Sequence, residues 1–178
     1  MAATDQAVVL LKLAGAALVV GCSGLAGLEH SRAQRAVAEE LGRWITALSA
    51  LETEISYGQS RLADALARSA EVAGGRTGLR LRRAAELLAE GEGTPGECIR
   101  RALADVAGPP GAELLSPVIV LSDCLGASHG DDQVRQMRLA GARLGRAMGE
   151  AEARADRCAR LWPSVGFLMG AMVALALM

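Results

Sequence analysis

Aromatic side chains are nearly missing from this chain. Its 178 residues include two Trp, one Tyr and one Phe, 2 % in all. Aromatic and β-branched runs, which favour strands, are also scarce. Ala and Leu, both good helix formers, dominate instead. The expected class is all-α.

Lysine is as scarce. Lys12 is the only one. A phosphate-cradling P-loop carries a Lys after its glycines, and no such motif can be written here. Histidine occurs twice, at His30 and His129, far apart in sequence. No His or Cys pair has zinc-ligand spacing, and no Gly-x-Ser-x-Gly elbow is present. His129, in Ser128-His129-Gly130-Asp131, reads as a structural loop residue beside a helix start. Paired acids at Glu39-Glu40 and Asp131-Asp132 read as solvated helix faces and first-turn acids. No catalytic residue, cofactor or metal is expected, and an enzyme is the least favoured class. The net charge of −1 gives no nucleic-acid footprint.

Four cysteines do not make a disulfide framework. Cys22 lies in an apolar segment. Cys98, Cys124 and Cys158 are scattered and read as small packing residues.

What is present is apolar and concentrated at the ends, although hydrophobic residues reach 51 % overall. Residues 7–28 carry one charge, Lys12, and residues 161–178 carry none. At ~1.5 Å per residue, 22 and 18 residues are about 33 and 27 Å of helix, near the thickness of a bilayer core. Both segments are expected to be transmembrane helices. A cleaved leader is the competing reading for the first, because Lys12 and the following apolar run imitate one. The run's direct passage into a helical pattern favours the retained anchor. All 18 arginines lie between Arg32 and Arg160. Basic residues flanking spans stay cytoplasmic, so residues 29–160 are expected to be a cytoplasmic helical domain, with a short external N-terminus at 1–6.

Within that domain the apolar spacing predicts six helices. Val37, Leu41, Trp44, Ile45, Leu48, Leu51 and Ile55 form one stripe, ended by Gly58. A second helix starts near Ser60, with Leu62, Leu66 and Val72 facing in. A third runs over 77–90, with Leu79, Leu81, Leu87 and Leu88. Thr94-Pro95-Gly96-Glu97 is a capping-box start for the fourth. The fifth spans about 112–125. The sixth begins near Asp131, with Val134, Met137, Gly141, Leu144, Met148, Ala151, Ala155 and Cys158 at three and four spacing. Short loops favour antiparallel neighbours.

Interaction features complete the reading. Gly166 and Gly170, and Ser23 and Gly27, form small-x-x-x-small pairs that let membrane helices approach closely. Glu52, Glu54 and Tyr57 end the first stripe near a turn, where they are either partner contacts or solvated residues.

Leu51-Glu52-Thr53-Glu54-Ile55-Ser56-Tyr57-Gly58 resembles the Leu-Glu-x-Glu-Ile-x-Tyr-Gly signature of the stage III sporulation protein AB family. Leu62-Ala63-Asp64-Ala65-Leu66, Asp123-Cys124-Leu125-Gly126 and the closing Ser164-Val165-Gly166-Phe167-Leu168-Met169-Gly170 resemble further elements of that family, collinear over nearly the whole chain. Asp123 replaces the usual Glu, and Pro163 stands where the family commonly has a basic residue. The family is similar to the F-type platform protein of type II secretion and type IV pilus systems. The resemblance implies a membrane component of a sporulation channel complex in the mother-cell membrane around the forespore. Its implied partners are a secretion-type ATPase and the ring-forming membrane proteins of that complex. Candidate partner-binding positions on the matching motifs are Glu52, Glu54, Tyr57, Gly58, Asp123 and Gly126. The lipid bilayer is an expected partner, and homo-oligomerisation is open.

Overall fold

The computed structural model describes residues 2–57, 61–125 and 130–176, with side chains described for residues 29–56, 61–125 and 132–160. Six α-helices make up the fold, and no strand occurs among the described residues. They are α1 (Ala2–Tyr57), α2 (Leu62–Ala73), α3 (Gly75–Ala89), α4 (Pro95–Asp105), α5 (Ser116–Cys124) and α6 (Gly130–Ala176).

α1 and α6 are longer than composition suggests, at 56 and 47 residues. The expected apolar segment 7–28 and the first bundle helix are one helix. So are the last bundle helix and residues 161–176. The change from apolar to charged residues near Leu28 and Arg160 alters what surrounds the helix, not its hydrogen bonding. Neither junction carries a Gly-Pro or Gly-Gly break. The α6 backbone stays helical through Pro163. Among the described residues no helix is long and apolar enough to cross a membrane. The side chains of 7–28 and 161–178 lie outside the described residues.

The chain divides into two compact units. One comprises Met1–Arg35 with Ala151–Met178. There Ser31 Oγ donates to the Ala155 carbonyl at 3.3 Å, with Ser31, Ala151 and Ala155 all buried. Arg35 and Asp156 approach at 3.8 Å, both well exposed, a contact worth little in water.

The second unit, Ala36–Glu150, is the helical bundle. The α1 stripe fills its centre as the spacing predicts, with Leu41, Trp44, Leu48 and Leu51 buried and Val37, Ile45 and Ile55 packed at the edge. From α6 come Met137, Ala140 and Leu144, and between them lie Leu66, Leu81, Ile99, Leu115, Val118, Leu121 and Leu125. Each fully buried Leu or Ile stabilises by about 1.5–3 kcal/mol. Alanines occupy much of the remaining core, so helices approach closely but bury little area each.

Two expected core residues face solvent. Val72 is 61 % exposed and Leu79 56 %. On α2 the buried face is set by Ala65, Leu66, Ser69, Ala70 and Ala73, small residues that place Val72 off the seam. On α3, Leu79 and Leu81 are two residues apart, about 200° around the helix, and cannot share a face. Leu81 goes in with Thr77, Arg80, Ala84, Ala85 and Leu87.

The connections follow local chemistry. α2 turns into α3 through Gly74 at φ +60° and Gly75 at φ +57°, a left-handed conformation that glycine adopts freely. α3 ends in a Schellman-type cap: Gly91 has φ +76°, and the Glu92 amide donates to the Leu87 carbonyl at 3.1 Å. α4 starts in the predicted capping box. The Glu97 amide donates to Thr94 Oγ1 at 3.3 Å, and the Thr94 amide donates to Glu97 Oε2 at 2.8 Å. α5 begins at Ser116, four residues later than expected, because 112–115 form turns. The expected cap residues Gly58 and Ser60 lie outside the described residues.

Candidate interaction surface

The acids of the signature motif are held by partners from other helices. Glu52, on α1, accepts from Arg138 Nε of α6 at 2.8 Å. Glu54 accepts from Arg68 Nη2 of α2 at 2.5 Å. That hydrogen bond, with the guanidinium charge, holds the Glu54 carboxyl below its ordinary pKa. These residues are thus neither free contacts nor plainly solvated; they tie α1 to α6 and to α2. Asp123, at the end of α5, accepts from Arg100 of α4. Its carboxylate lies over Gly96, where an added Cβ would come within 2.8 Å of Asp123 Oδ1. The motif acids therefore bind three separate helix pairs rather than converging on one point. The Tyr57 side chain, Gly58 and Gly126 lie outside the described residues. So do the surroundings of Ser23, Gly27, Gly166 and Gly170, whose backbone is helical.

Glu40 has a role that its neighbour Glu39 does not share. Glu39 is exposed. The Glu40 side chain is only 15 % exposed and caps α3 from α1. Its Oε2 accepts from the Thr77 amide at 3.0 Å and the Thr77 hydroxyl at 2.9 Å, and its Oε1 from the Arg76 amide at 3.3 Å. These are first-turn amides with no partner inside their own helix, and a carboxylate there is favoured by the helix dipole. Arg43, one turn along, donates to the Ala73 carbonyl at the end of α2 at 3.2 Å. One turn of α1 thus closes both ends of the α2–α3 turn.

Arg80 is a second clamp. It is 3 % exposed and faces backbone oxygens only. Nε donates to Val106 O at 3.0 Å, Nη2 to Gly108 O at 2.6 Å and Nη1 to Pro110 O at 3.4 Å. Arg76 adds a bond to Pro109 O at 3.2 Å. Burial and the nearby Arg76 charge lower the Arg80 pKa, yet a guanidinium stays protonated. The α4–α5 connection is fixed by a cation spending its donors on carbonyls.

Cys98 is buried in the α4 face, and burial raises its thiol pKa, opposite to what a nucleophile needs. Among the described residues no cluster of His, Cys, Asp or Glu could hold a metal ion. An open depression of about 440 Å³ is lined by Arg61, Leu62, Ala63, Asp64, Leu88, Ala89 and Pro95. Its walls present two opposite charges and otherwise apolar surface, without the converging polar groups of a ligand site.

The fold is a helical bundle cross-tied by arginines, whose α1 and α6 continue in helix into the apolar segment at each end of the chain. Residues 12–178 match the family model of stage III sporulation protein AB, and the chain belongs to that family. The family places it in stage III of sporulation, as a structural component of a complex rather than a known enzyme. No curated protein and no solved structure matches the chain.

Proposed function

We propose that this protein is a non-enzymatic membrane platform of the sporulation transenvelope complex, coupling a secretion-type ATPase to the membrane assembly. The observation that carries the reading, beside family membership, is the continuity of α1 and α6. Each apolar terminal segment shares one uninterrupted helix with a bundle helix, and no loop intervenes to absorb a displacement. The 7–28 and 161–178 segments act as anchors in the mother-cell membrane, with the bundle in the cytoplasm where the motor lies. The similarity of the family to F-type platform proteins supports the same role.

The test is binding of the full-length protein in lipid nanodiscs to the candidate ATPase, with and without nucleotide. Saturable binding that changes with nucleotide is the expected result. A folded, reconstituted chain that binds the ATPase in neither state would sink the motor contact and leave a passive scaffold.

A further inference from the structure

One face of α6 in the bundle unit carries three arginines that make no ion pair among the described residues, with Asp132 and Glu150 at its two ends. Residues 133–149 contain Arg135, Arg138, Arg143 and Arg146 and no acid. Arg138 is paired with Glu52. Arg135, Arg143 and Arg146 are exposed and make no ion pair among the described residues. Elsewhere in the bundle five arginines are matched with acids: Arg43 with Glu40, Arg68 with Glu54, Arg83 with Asp105, Arg100 with Asp123 and Arg101 with Glu92. At about 100° per residue, the three unmatched arginines fall within about 80° of one another. Leu139, 46 % exposed, sits among them, and the buried Met137, Ala140 and Leu144 lie on the opposite side.

The same stretch has Gly141, Gly145 and Gly149 at four-residue intervals beside Ala142. An added Cβ at any of the three glycines would meet nothing within 4 Å. Glycine in a helix interior weakens the helix relative to alanine, and packing within the described residues does not require it at these positions. At the same ~100° per residue these glycines lie about 120° around the helix from the unmatched arginines, on the flank of Arg138 rather than on the arginine face.

We infer that this face docks an acidic helix of a partner protein. The arginines would pair with its carboxylates, and Leu139 would be covered. Arg is the charged residue most suited to such anchoring. A second copy of the chain fits poorly, because a two-fold contact would set this positive face against itself. The inference refines the platform reading by naming the face that the motor would engage.

The experiment uses full-length protein in zwitterionic nanodiscs. It is titrated with the candidate ATPase, with a synthetic amphipathic helix bearing a glutamate stripe, and with single-stranded RNA of equal charge. Arg143→Glu/Arg146→Glu should weaken ATPase and peptide binding at least tenfold. Leu139→Ser should also weaken both, while leaving the thermal midpoint unchanged. Arg32→Glu/Arg82→Glu, the same charge change elsewhere, should leave binding within twofold. ATPase binding that survives the α6 variants overturns the inference and keeps the platform. Peptide binding lost in those variants, with no ATPase binding by the wild type, keeps the face and overturns the motor contact. Absence of both, or RNA bound more tightly than peptide, overturns the inference.

Discussion

Removing the Glu40 carboxylate should loosen the α2–α3 hairpin from α1, and the structure sets the size of the effect. Glu40→Ala deletes the acceptor for the Thr77 amide, the Thr77 hydroxyl and the Arg76 amide. Thr77 is fully buried, so its amide cannot turn to water, while its hydroxyl keeps the residue-40 backbone carbonyl at 3.4 Å. Hydrogen bonds to a charged group are worth about 1.5–3 kcal/mol, and a buried donor left unmade costs about 1–3 kcal/mol. The Arg76 bond is long and less enclosed, and the Arg43 contact at 3.6 Å contributes little. The expected loss is about 2–4 kcal/mol. For a bundle of this size that lowers Tm by about 10 °C. Glu40→Gln keeps one carbonyl oxygen and should lose about half as much. Glu39→Ala, one residue away and exposed, should stay within about 0.5 kcal/mol. Thermal unfolding of the full-length protein in detergent gives the global number. Amide exchange at Arg76 and Thr77 gives the local one, and it should rise in Glu40→Ala before exchange in α4 and α5 does. If Glu40→Ala melts with the wild type and leaves both amides protected, the cross-helix cap is not a stabilising contact.

Other outcomes follow from the same contacts. Gly78→Ala would place a Cβ 2.6 Å from the Ala70 carbonyl; separation of α2 from α3 should cost about 1–3 kcal/mol, read as a lower urea midpoint. Arg80→Ala should cost about 2–3 kcal/mol by stripping the carbonyls of 106–110 of their donor, and Arg80→Lys should restore only part, because one ammonium cannot span three oxygens. Acid should weaken the bundle through Glu54 and Glu97, the latter held low by the Thr94 amide and hydroxyl. Both folded pKa values are depressed, so their contribution is full above the unfolded value of about 4.3 and fades as pH falls below it. Glu54→Gln/Glu97→Gln should therefore flatten the Tm-versus-pH curve below about pH 4, and an unchanged slope there would contradict the assignment.

Much of this fold could be read in advance because its signals are local. The Thr94–Glu97 box lies within one turn, and the α1 stripe repeats with the helix. The misplacements at Val72 and Leu79 came from following the large apolar residues, when Ala and Ser set the seams. The direct passage of the 7–28 run into the α1 stripe was legible as well, because no breaker separates the two. The clamps left no local trace. Glu40 meets its partners 36 and 37 residues away, and Arg80 meets carbonyls of the 106–110 loop. Glu52 and Glu54 stood out in the motif, yet their partners Arg138 and Arg68 are 86 and 14 residues distant.

The order of helices also sets an order of assembly. α2, α3, α4 and α5 contact one another in sequence, so each can pair as soon as the next leaves the ribosome. α1 cannot finish in this way. Its Leu41, Trp44, Leu48 and Leu51 share their cluster with Met137, Ala140 and Leu144, which are synthesised some ninety residues later. During that interval the oldest helix carries an apolar stripe that α2–α5 cover only in part. Truncation before α6 should therefore leave a chain that aggregates or recruits chaperones, whereas supplying α6 as a separate polypeptide should rescue it.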